Sequence, residues 1–410
     1  MTSQALQQKD ERSRRFGGVL SKYVHYSEGK NAVVLFDLLD AIKDFSADFP
    51  NDPHCLELQS VLACDGKNWV AARTYLTAAA SLGSQNLNVH RDLSYVNLRL
   101  RDFSEVRRHC LHCIERDGTS INDYYGLAAA LYALDRVKEA IPVLDKALRD
   151  HPDLPLNKDP DFLKRQTRAQ ARSLPSIMLN TLFKSASMYI VTRLARGLNI
   201  PRCYIASAAL APDLVVPSWL EIFSRGGALS QEHLAPTQGV LRQLEAAGIS
   251  KLVVHTRDRR QAMISGVHHL QNMFGEDNIE SIGFTSRLPQ AYPDWSVGEK
   301  IDYYIAERFA EQAQWVSGWQ RLASMPAYRD RILLTSYEEF HLDNRAYFEQ
   351  VLRFYNIEQL NFNWSVLDED TRQSQLHFRS GKTDEWKSLL STEQISRCNI
   401  IMKKAGFKNL

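Results

Sequence analysis

Hydroxyl-bearing and basic residues follow the first predicted strand in the second half of the chain, and these residue types suit the binding of a phosphate group. Residues 183–189 have the sequence FKSASMY. The small hydroxyl residues are expected to open a helix, whose free N–H groups and dipole favour an anion. Lys184 lies at the turn, within reach of a phosphate or its leaving oxygen. The segment is not a Walker A loop, because the lysine precedes the small residues. A capped helix after an exposed lysine is the structural alternative.

A second candidate is an arginine at the end of another predicted strand. Arg257 follows the apolar run KLVVHT, and Ser265 lies eight residues further on, within a predicted helix. A guanidinium presents a planar fork of donors to a phosphate, and a serine in the following helix can contact the same group. The structural alternative is a salt-bridged arginine near a helix N-cap and an ordinary helical serine.

A basic loop near the C-terminus is the third candidate. Residues 378–387, FRSGKTDEWK, place two cations on either side of a glycine, ahead of a tryptophan that is predicted to begin a helix. Such a loop could close over a nucleotide phosphate as a basic lid, or it could be a solvated loop.

The elements that must position these residues are strands alternating with helices. The apolar runs SIMLNTLF, RCYIASA, KLVVHT and RILLTSY are separated by helical patterns. This alternation predicts a three-layer α/β domain with a mostly parallel sheet, in which ligands lie beyond the carboxyl ends of the strands. We assign this domain to residues 175–410. Residues 153–174 are rich in proline and charge and are predicted to form a linker.

An internal repeat with a period of 34 residues occupies the first part of the chain. Paired helices with this period are typical of tetratricopeptide repeats, and the region resembles an array of about three of them. We assign residues 1–29 to a polar N-terminal segment and residues 30–152 to the helical repeats. Such an array is a platform without chemistry of its own, and its concave face could bind a protein or peptide partner or pack on the second domain. The recurring sets are Trp69, Phe103 and Val137; Ala72, Val106 and Ala140; Leu76, Cys110 and Leu144; and Ala79, Cys113 and Ala147.

Composition and charge argue against several classes of protein. A formal charge of +2 argues against a nucleic-acid binder, so any anion site must be local. The sequence contains no run of 18 apolar residues, so no membrane span is predicted. Residues 1–18 lack the apolar region of a signal peptide. Six scattered cysteines predict reduced thiols in a cytoplasmic protein. The CxxC at residues 110–113 is interpreted as core thiols, because no second CxxC accompanies it.

Taken together, the motifs of residues 175–407 resemble the sulfotransferase family that uses 3′-phosphoadenosine-5′-phosphosulfate (PAPS). KSASMY is similar to the family's phosphosulfate loop PKSGTTW, and HTRDRRQAMIS is similar to its 3′-phosphate motif. RILLTSYEEF resembles its late strand, and FRSGKTDEWKSLLS resembles its closing loop RKGxxGDWKxxFT. Three positions depart from the pattern: Phe183 replaces a proline, Ala186 a glycine and Ser380 a lysine.

The resemblance implies in-line transfer of a sulfuryl group from PAPS to an acceptor hydroxyl, with no metal required. Lys184 would stabilise charge on the bridging oxygen, and Ser265 is a further catalytic candidate. Tyr189 and Tyr337 would approach the adenine. The remaining donor-site residues would be Ser185, Ala186, Ser187 and Met188, whose N–H groups hold the phosphosulfate, and Arg257, Ser265, Arg379, Ser380 and Gly381 around the 3′-phosphate.

The general base is assigned to His233 in the segment QEHLAP, which resembles the family's HLP segment. An imidazole titrates near neutral pH and suits this role, and the neighbouring Glu232 is the alternative. The acceptor would be a glycan, a lipid or a protein tyrosine, and residues 208–236 are expected to line its pocket.

Two other functions stay open. A P-loop kinase or nucleotidase is disfavoured, because the chain lacks both a GKS/T loop and a clear strand-end aspartate for Mg²⁺. A catalytically weak nucleotide-binding scaffold would recruit a protein partner through the helical repeats.

Overall fold

The computed structural model describes residues 3–84, 86–151, 159, 161–207, 211–274, 281, 284–285, 287–368 and 382–408. It divides into two units, Met1–Ala140 and Ile141–Leu410. None of the helices in the described ranges is long and apolar enough to cross a membrane.

The first unit is built from consecutive α-helices, several of which begin at side-chain caps. Asp52 accepts hydrogen bonds from the N–H groups of His54 and Cys55, both at 3.0 Å, and Asn68 accepts one from Ala71 at 3.1 Å. These bonds satisfy N–H groups that a helix start leaves without a partner. The helices are α1 (Ser3–Gly29), α2 (Ala32–Asp48), α3 (Pro53–Asp65), α4 (Trp69–Ser81), α5 (Leu87–Arg99), α6 (Phe103–Arg116), α7 (Ile121–Ala133) and α8 (Val137–Asp150), which crosses the unit boundary.

The 34-residue period recurs in the backbone of these helices. Lys67, Arg101 and Asp135 have φ of 55°, 59° and 59°, so the same left-handed turn precedes α4, α6 and α8. The repeated small and apolar positions face the core: Ala72, Val106, Ala140, Leu76, Cys110, Ala79, Cys113 and Ala147 are all buried. The structure therefore contains a regular helical repeat, and its assignment to the tetratricopeptide family stays a prediction.

The predicted polar segment 1–29 is helical over α1. Val19 and Tyr26 are buried in a core that also contains Leu38, Ile42 and Phe45 of α2. This segment therefore contributes to the core of the first unit.

In its described residues, the second unit contains a five-stranded parallel sheet. Its order is β2–β5–β1–β6–β7, and all of its pairings are parallel. A separate antiparallel pair joins β3 and β4. The α/β expectation is confirmed at this level. The strands are β1 (Ile177–Thr181), β2 (Arg202–Cys203), β3 (Ala206–Ser207), β4 (Ala211–Val215), β5 (Leu229–Glu232), β6 (Leu252–Thr256) and β7 (Ile332–Ser336).

Helices cover both faces of the sheet. Leu179 of β1 belongs to one core with α10 (Ser187–Leu198) and α17 (Asn344–Phe354), whereas its neighbour Met178 belongs to another with α12 (Gln238–Ala246) and α15 (Phe309–Ser324). Burial on both faces explains why β1 is apolar at successive positions instead of alternating. The other helices are α9 (Phe162–Ala171), α11 (Pro217–Ser224), α13 (Arg259–Met273), α14 (Val297–Glu307), α16 (Tyr337–Leu342), α18 (Trp386–Leu389) and α19 (Thr392–Lys404).

Helix α9 lies within the predicted linker 153–174 and packs inside the second unit. The Gln166 amide donates to the carbonyl oxygens of Ile222 and Gly226, both at 2.9 Å. A Cβ at Gly227, where φ is 66°, would lie 2.8 Å from the Gln166 carbonyl oxygen. The α/β unit therefore begins before residue 175. The sequence hides this helix, because its buried face is short and combines Phe162 and Ala169 with the polar Gln166.

The cysteines fit the prediction of reduced thiols, and Cys110 and Cys113 are buried as predicted. All six lie in described parts of the chain, and each is a free thiol. Burial raises the pKa of Cys110 to about 12 and that of Cys113 to about 11, so both stay protonated at neutral pH. The residues that the structure describes contain no group of three or more His, Cys, Asp or Glu side chains arranged for a metal ion.

Candidate functional site

The loop between β1 and α10 lies at the carboxyl edge of the sheet, where the sequence places the phosphosulfate loop. Lys184 and Ala186 have φ of 65° and 68°, and the intervening Ser185 is buried. The Ser185 hydroxyl donates to the Leu182 carbonyl oxygen at 2.7 Å. Left-handed residues in a turn ahead of a helix are typical of backbone concavities that bind anions.

Ala186 holds the left-handed conformation that glycine adopts without cost. It precedes the first residue of α10, Ser187, with φ of 68° and ψ of 19°. The departure from the family's glycine therefore keeps the backbone shape and adds strain from the Cβ.

Replacing Ala186 by glycine should raise the free energy of unfolding by about 0.5–1 kcal/mol, because relief of the left-handed strain exceeds the entropy that glycine gains in the unfolded chain. The measurement is urea unfolding followed by circular dichroism. The matched control is Ala195→Gly inside α10, where the same change should lower the free energy of unfolding by about 1 kcal/mol. Destabilisation by both substitutions would contradict the strain at Ala186.

Arg257 joins three of the predicted segments. Its Nη1 donates to the Lys184 carbonyl oxygen at 3.0 Å, and its Nη2 donates to the Lys382 carbonyl oxygen at 2.7 Å. Its guanidinium carbon lies 4.0 Å from the centroid of the Tyr337 ring. The β1–α10 loop, the residue after β7 and the described segment that begins at Lys382 therefore meet at one side chain.

The closing segment is also attached to the first turn of α13. Gln261 accepts a hydrogen bond from the Trp386 N–H at 3.1 Å and donates to the Glu385 carboxylate at 3.2 Å. The guanidinium carbon of Arg260 lies 3.6 Å from the centroid of the Trp386 ring, and Asp258 pairs with the same guanidinium at 2.8 Å. Residues Arg379, Ser380 and Gly381 of the predicted lid lie outside the described residues.

The two tyrosines predicted to approach the adenine lie on the same phenylalanine. The ring centroids of Tyr189 and Tyr337 are 5.6 Å and 5.9 Å from that of Phe340. Tyr189 also stacks on Arg193, whose guanidinium carbon is 4.8 Å from the ring centroid. Ser265 is buried on α13, two turns after Arg257. Ser187 is buried in the first turn of α10, and Met188 beside it is half-buried.

His233 follows β5 and contacts the end of β1. Its Nδ1 lies 2.6 Å from the Thr181 carbonyl oxygen. Because a carbonyl oxygen only accepts, Nδ1 carries the proton and Nε2 of the neutral ring carries the lone pair. Nε2 lies 3.4 Å from the Gln231 amide nitrogen. Burial lowers the pKa of His233, which keeps the imidazole in the form that can accept a proton.

NMR titration of the His233 ring should give a pKa below 6.5, because burial disfavours the imidazolium more than the Thr181 carbonyl favours it. The folded pKa then lies below that of the unfolded chain, so this group's contribution to stability is present above about pH 6.5 and is lost as the pH falls through the folded pKa. His233→Gln assigns the resonance and removes that part of the pH dependence. A pKa of 6.5 or higher would contradict this effect of desolvation on His233.

Glu232, the alternative base, makes its contacts away from the β1–α10 loop. Its carboxyl accepts from the Ser230 hydroxyl at 2.6 Å and from the Ile205 N–H at 2.7 Å. Burial raises the pKa of Glu232 to about 8, so it is protonated at neutral pH. Through these contacts, Glu232 connects β5 to the residues that follow β2.

Phe183, which departs from the family's proline, lies in an aromatic cluster beside His233. Its ring centroid is 6.1 Å from that of His233, 5.5 Å from that of His269 and 5.4 Å from that of Phe284. The nitrogen of Lys184 lies 5.8 Å from the Phe183 ring centroid. The candidate base and the candidate lysine therefore flank the same ring.

The sequence analysis did not predict three side chains of this site, Gln261, Phe340 and His255. The contacts of His255 are described in a later subsection. Each of the three lies inside a segment that the motifs identify, but each also has a partner far along the chain. Glu385 is 124 positions from Gln261, and Thr335 is 80 positions from His255. No local spacing predicts such contacts.

The arrangement offers a helix N-terminus, an ammonium, a guanidinium and a neutral imidazole at one edge of the sheet. These groups suit the binding of a phosphorylated or sulfated ligand and the removal of a proton beside it. Lys184, Arg257 and the N-terminus of α10 contribute positive charge to the site as described.

No family model and no curated protein matches the chain. Among solved structures, mouse sulfotransferase SULT7A1 complexed with PAP is similar, with 13% sequence identity and a TM-score of 0.41. The match covers 56% of this chain and 84% of that protein. A likeness at this level carries no information about function.

Proposed function

We propose that the α/β unit is a sulfotransferase that binds PAPS at the β1–α10 loop and transfers its sulfuryl group to an acceptor hydroxyl. The observation that carries this proposal is the meeting of three segments at Arg257. Lys184, Tyr337 and Lys382 are separated from Arg257 by 73 to 125 positions and lie within contact of its guanidinium. These are the segments whose motifs resemble the family's donor site.

Basic side chains and a helix N-terminus among the described residues complement the negative charge of PAPS. Its 5′-phosphosulfate would lie at the N-terminus of α10, with Lys184 beside the bridging oxygen. Its 3′-phosphate would lie near Arg257 and Ser265, and Tyr189 and Tyr337 would border the adenine around Phe340. The Arg257 donors that now contact two carbonyl oxygens would be shared with the phosphate.

His233 is proposed to accept the proton of the acceptor hydroxyl at Nε2. Its Nδ1–H stays bonded to the Thr181 carbonyl, which fixes the ring in the required tautomer. The acceptor oxygen forms a bond to sulfur as the bond from sulfur to the bridging oxygen breaks. The electron pair stays on that oxygen, where Lys184 is placed to meet the charge.

Thermal shift with nucleotides separates this proposal from the other functions. Stabilisation by 3′,5′-diphosphoadenosine, with little effect of ATP or AMP at the same concentration, is the expected result. A preference for ATP would favour a kinase or nucleotidase. No shift with any of the three would contradict the donor site.

The acceptor is proposed to be a glycan, a lipid or a protein tyrosine that enters beside Phe183 and His233. The helical repeats are proposed to recruit a protein or peptide partner. Both proposals can be tested by transfer of label from PAPS to members of each acceptor class, with and without the first unit.

A further inference from the structure

His255 is a fully buried histidine at the centre of the second unit, and the proposed reaction does not use it. It lies on β6, two positions before Arg257, and is 0% exposed. Its Nε2 lies 2.8 Å from the Ser185 carbonyl oxygen, in the middle of the β1–α10 loop. Its Nδ1 lies 3.0 Å from the Thr335 hydroxyl and 3.1 Å from the Tyr347 hydroxyl. The ring therefore connects the loop to β7 and α17.

These contacts fix the tautomer of His255. A carbonyl oxygen only accepts, so Nε2 carries the proton and donates to Ser185. Nδ1 of the neutral ring then accepts from the Thr335 or Tyr347 hydroxyl. Burial lowers the pKa of His255 to about 3, which keeps the ring neutral across the physiological range.

The bond to Ser185 determines which way the loop presents its backbone. The Ser185–Ala186 peptide is trans, so its C=O and N–H point in opposite directions. Because the carbonyl is directed at the buried ring, the Ala186 N–H is directed away from the core. The same bond lies between two left-handed residues, Lys184 and Ala186, whose conformation has to be maintained against its intrinsic cost.

We propose that His255 is a positioning residue that holds the Ser185 carbonyl inward and thereby aims the Ala186 N–H at the 5′-phosphoryl end of the ligand. This inference rests on the proposed function, because it assigns the anion to that loop. His255 touches no reacting atom and acts through the backbone of the loop. Through Thr335 it also ties the loop to the strand that precedes Tyr337, at the adenine side of the proposed site.

Two substitutions at position 255, His255→Gln and His255→Asn, provide a matched test. Glutamine at position 255 places its amide nitrogen near the position of Nε2, so it can still donate to Ser185. Asparagine places its amide near Nδ1 and cannot reach that carbonyl. The measurement is the ratio of affinities for 3′,5′-diphosphoadenosine and adenosine 3′-monophosphate, which isolates the gain from the 5′-phosphate. Tyr355→Phe is the control, because that buried hydroxyl contacts Met178 of β1, away from the loop.

His255→Asn should lower this ratio about tenfold, the loss of one hydrogen bond that organises a charged site, with little change for the 3′-monophosphate. His255→Gln and Tyr355→Phe should keep the ratio within about threefold of wild type. Equal ratios in the asparagine and glutamine variants would overturn the inference. Failure of the wild type to prefer the diphosphate would instead overturn the proposed function.

A measurement on the wild type keeps the inference testable if neither variant folds. Nitrogen chemical shifts of the His255 ring should show a protonated Nε2 and an unprotonated Nδ1, with no change between pH 6 and 8. A ring protonated at Nδ1 could not donate to Ser185 from Nε2 and would overturn the assignment.

Discussion

Lys184→Ala should reduce the rate constant of transfer by a factor on the order of 10²–10³ and leave the affinity for 3′,5′-diphosphoadenosine within about tenfold of wild type. The ammonium is placed to meet charge that develops on the bridging oxygen, so its loss affects the transition state more than the bound product. The measurement combines steady-state kinetics, using the best acceptor of the three classes, with calorimetric titration of the diphosphate.

The control for this variant is Lys164→Ala on α9, which removes an exposed lysine of the same unit. It should change neither the rate constant nor the affinity by more than about twofold. A wild-type rate constant in Lys184→Ala would remove Lys184 from the proposed chemistry. Weaker binding of the diphosphate with an unchanged rate constant would assign it to binding alone.

Arg257→Ala should weaken binding of 3′,5′-diphosphoadenosine by about 1.5–3 kcal/mol, the range for a hydrogen bond to a charged group. Adenosine-5′-phosphosulfate lacks the 3′-phosphate and should bind with nearly unchanged affinity. Calorimetric titration of both ligands measures the difference directly.

Arg257→Lys is the matched variant for this test, because it keeps the positive charge and loses the planar fork of donors. Its affinity for the diphosphate should lie between those of the wild type and Arg257→Ala. In the structure the guanidinium also holds the carbonyls of Lys184 and Lys382. Equal losses for the two ligands in Arg257→Ala would therefore mean that Arg257 only connects these segments.

The part of the fold that the sequence predicted is the part with long apolar runs. β1, β6 and β7 each follow a turn and precede a helix, and each lies within a predicted apolar run. β5 was missed, although it pairs with β1 in the sheet. Its sequence, LSQE, has three polar residues whose burial is possible only because partners such as Thr181 and Ile205 come from other segments. Tertiary contacts, not local pattern, determine that strand.

The candidate site shows the same division. The sequence identified Lys184, Arg257 and Tyr337 from strand ends, and the structure brings them together. The sequence does not identify His255 as a support of the loop. A single histidine within a strand belongs to no repeating pattern, and its partners come from other segments. The left-handed conformation of Ala186 was also unexpected, since alanine seldom adopts it.

Transfer of radiolabel from [³⁵S]PAPS tests the central claim most directly. The protein is incubated with the labelled donor and with a glycan, a lipid or a tyrosine peptide, and labelled acceptor is separated from donor. We expect label to appear in one acceptor class, equimolar 3′,5′-diphosphoadenosine to be released, and Lys184→Ala to slow both by a factor on the order of 10²–10³. Binding of the diphosphate without transfer to any class would contradict sulfotransferase activity and favour a nucleotide-binding scaffold.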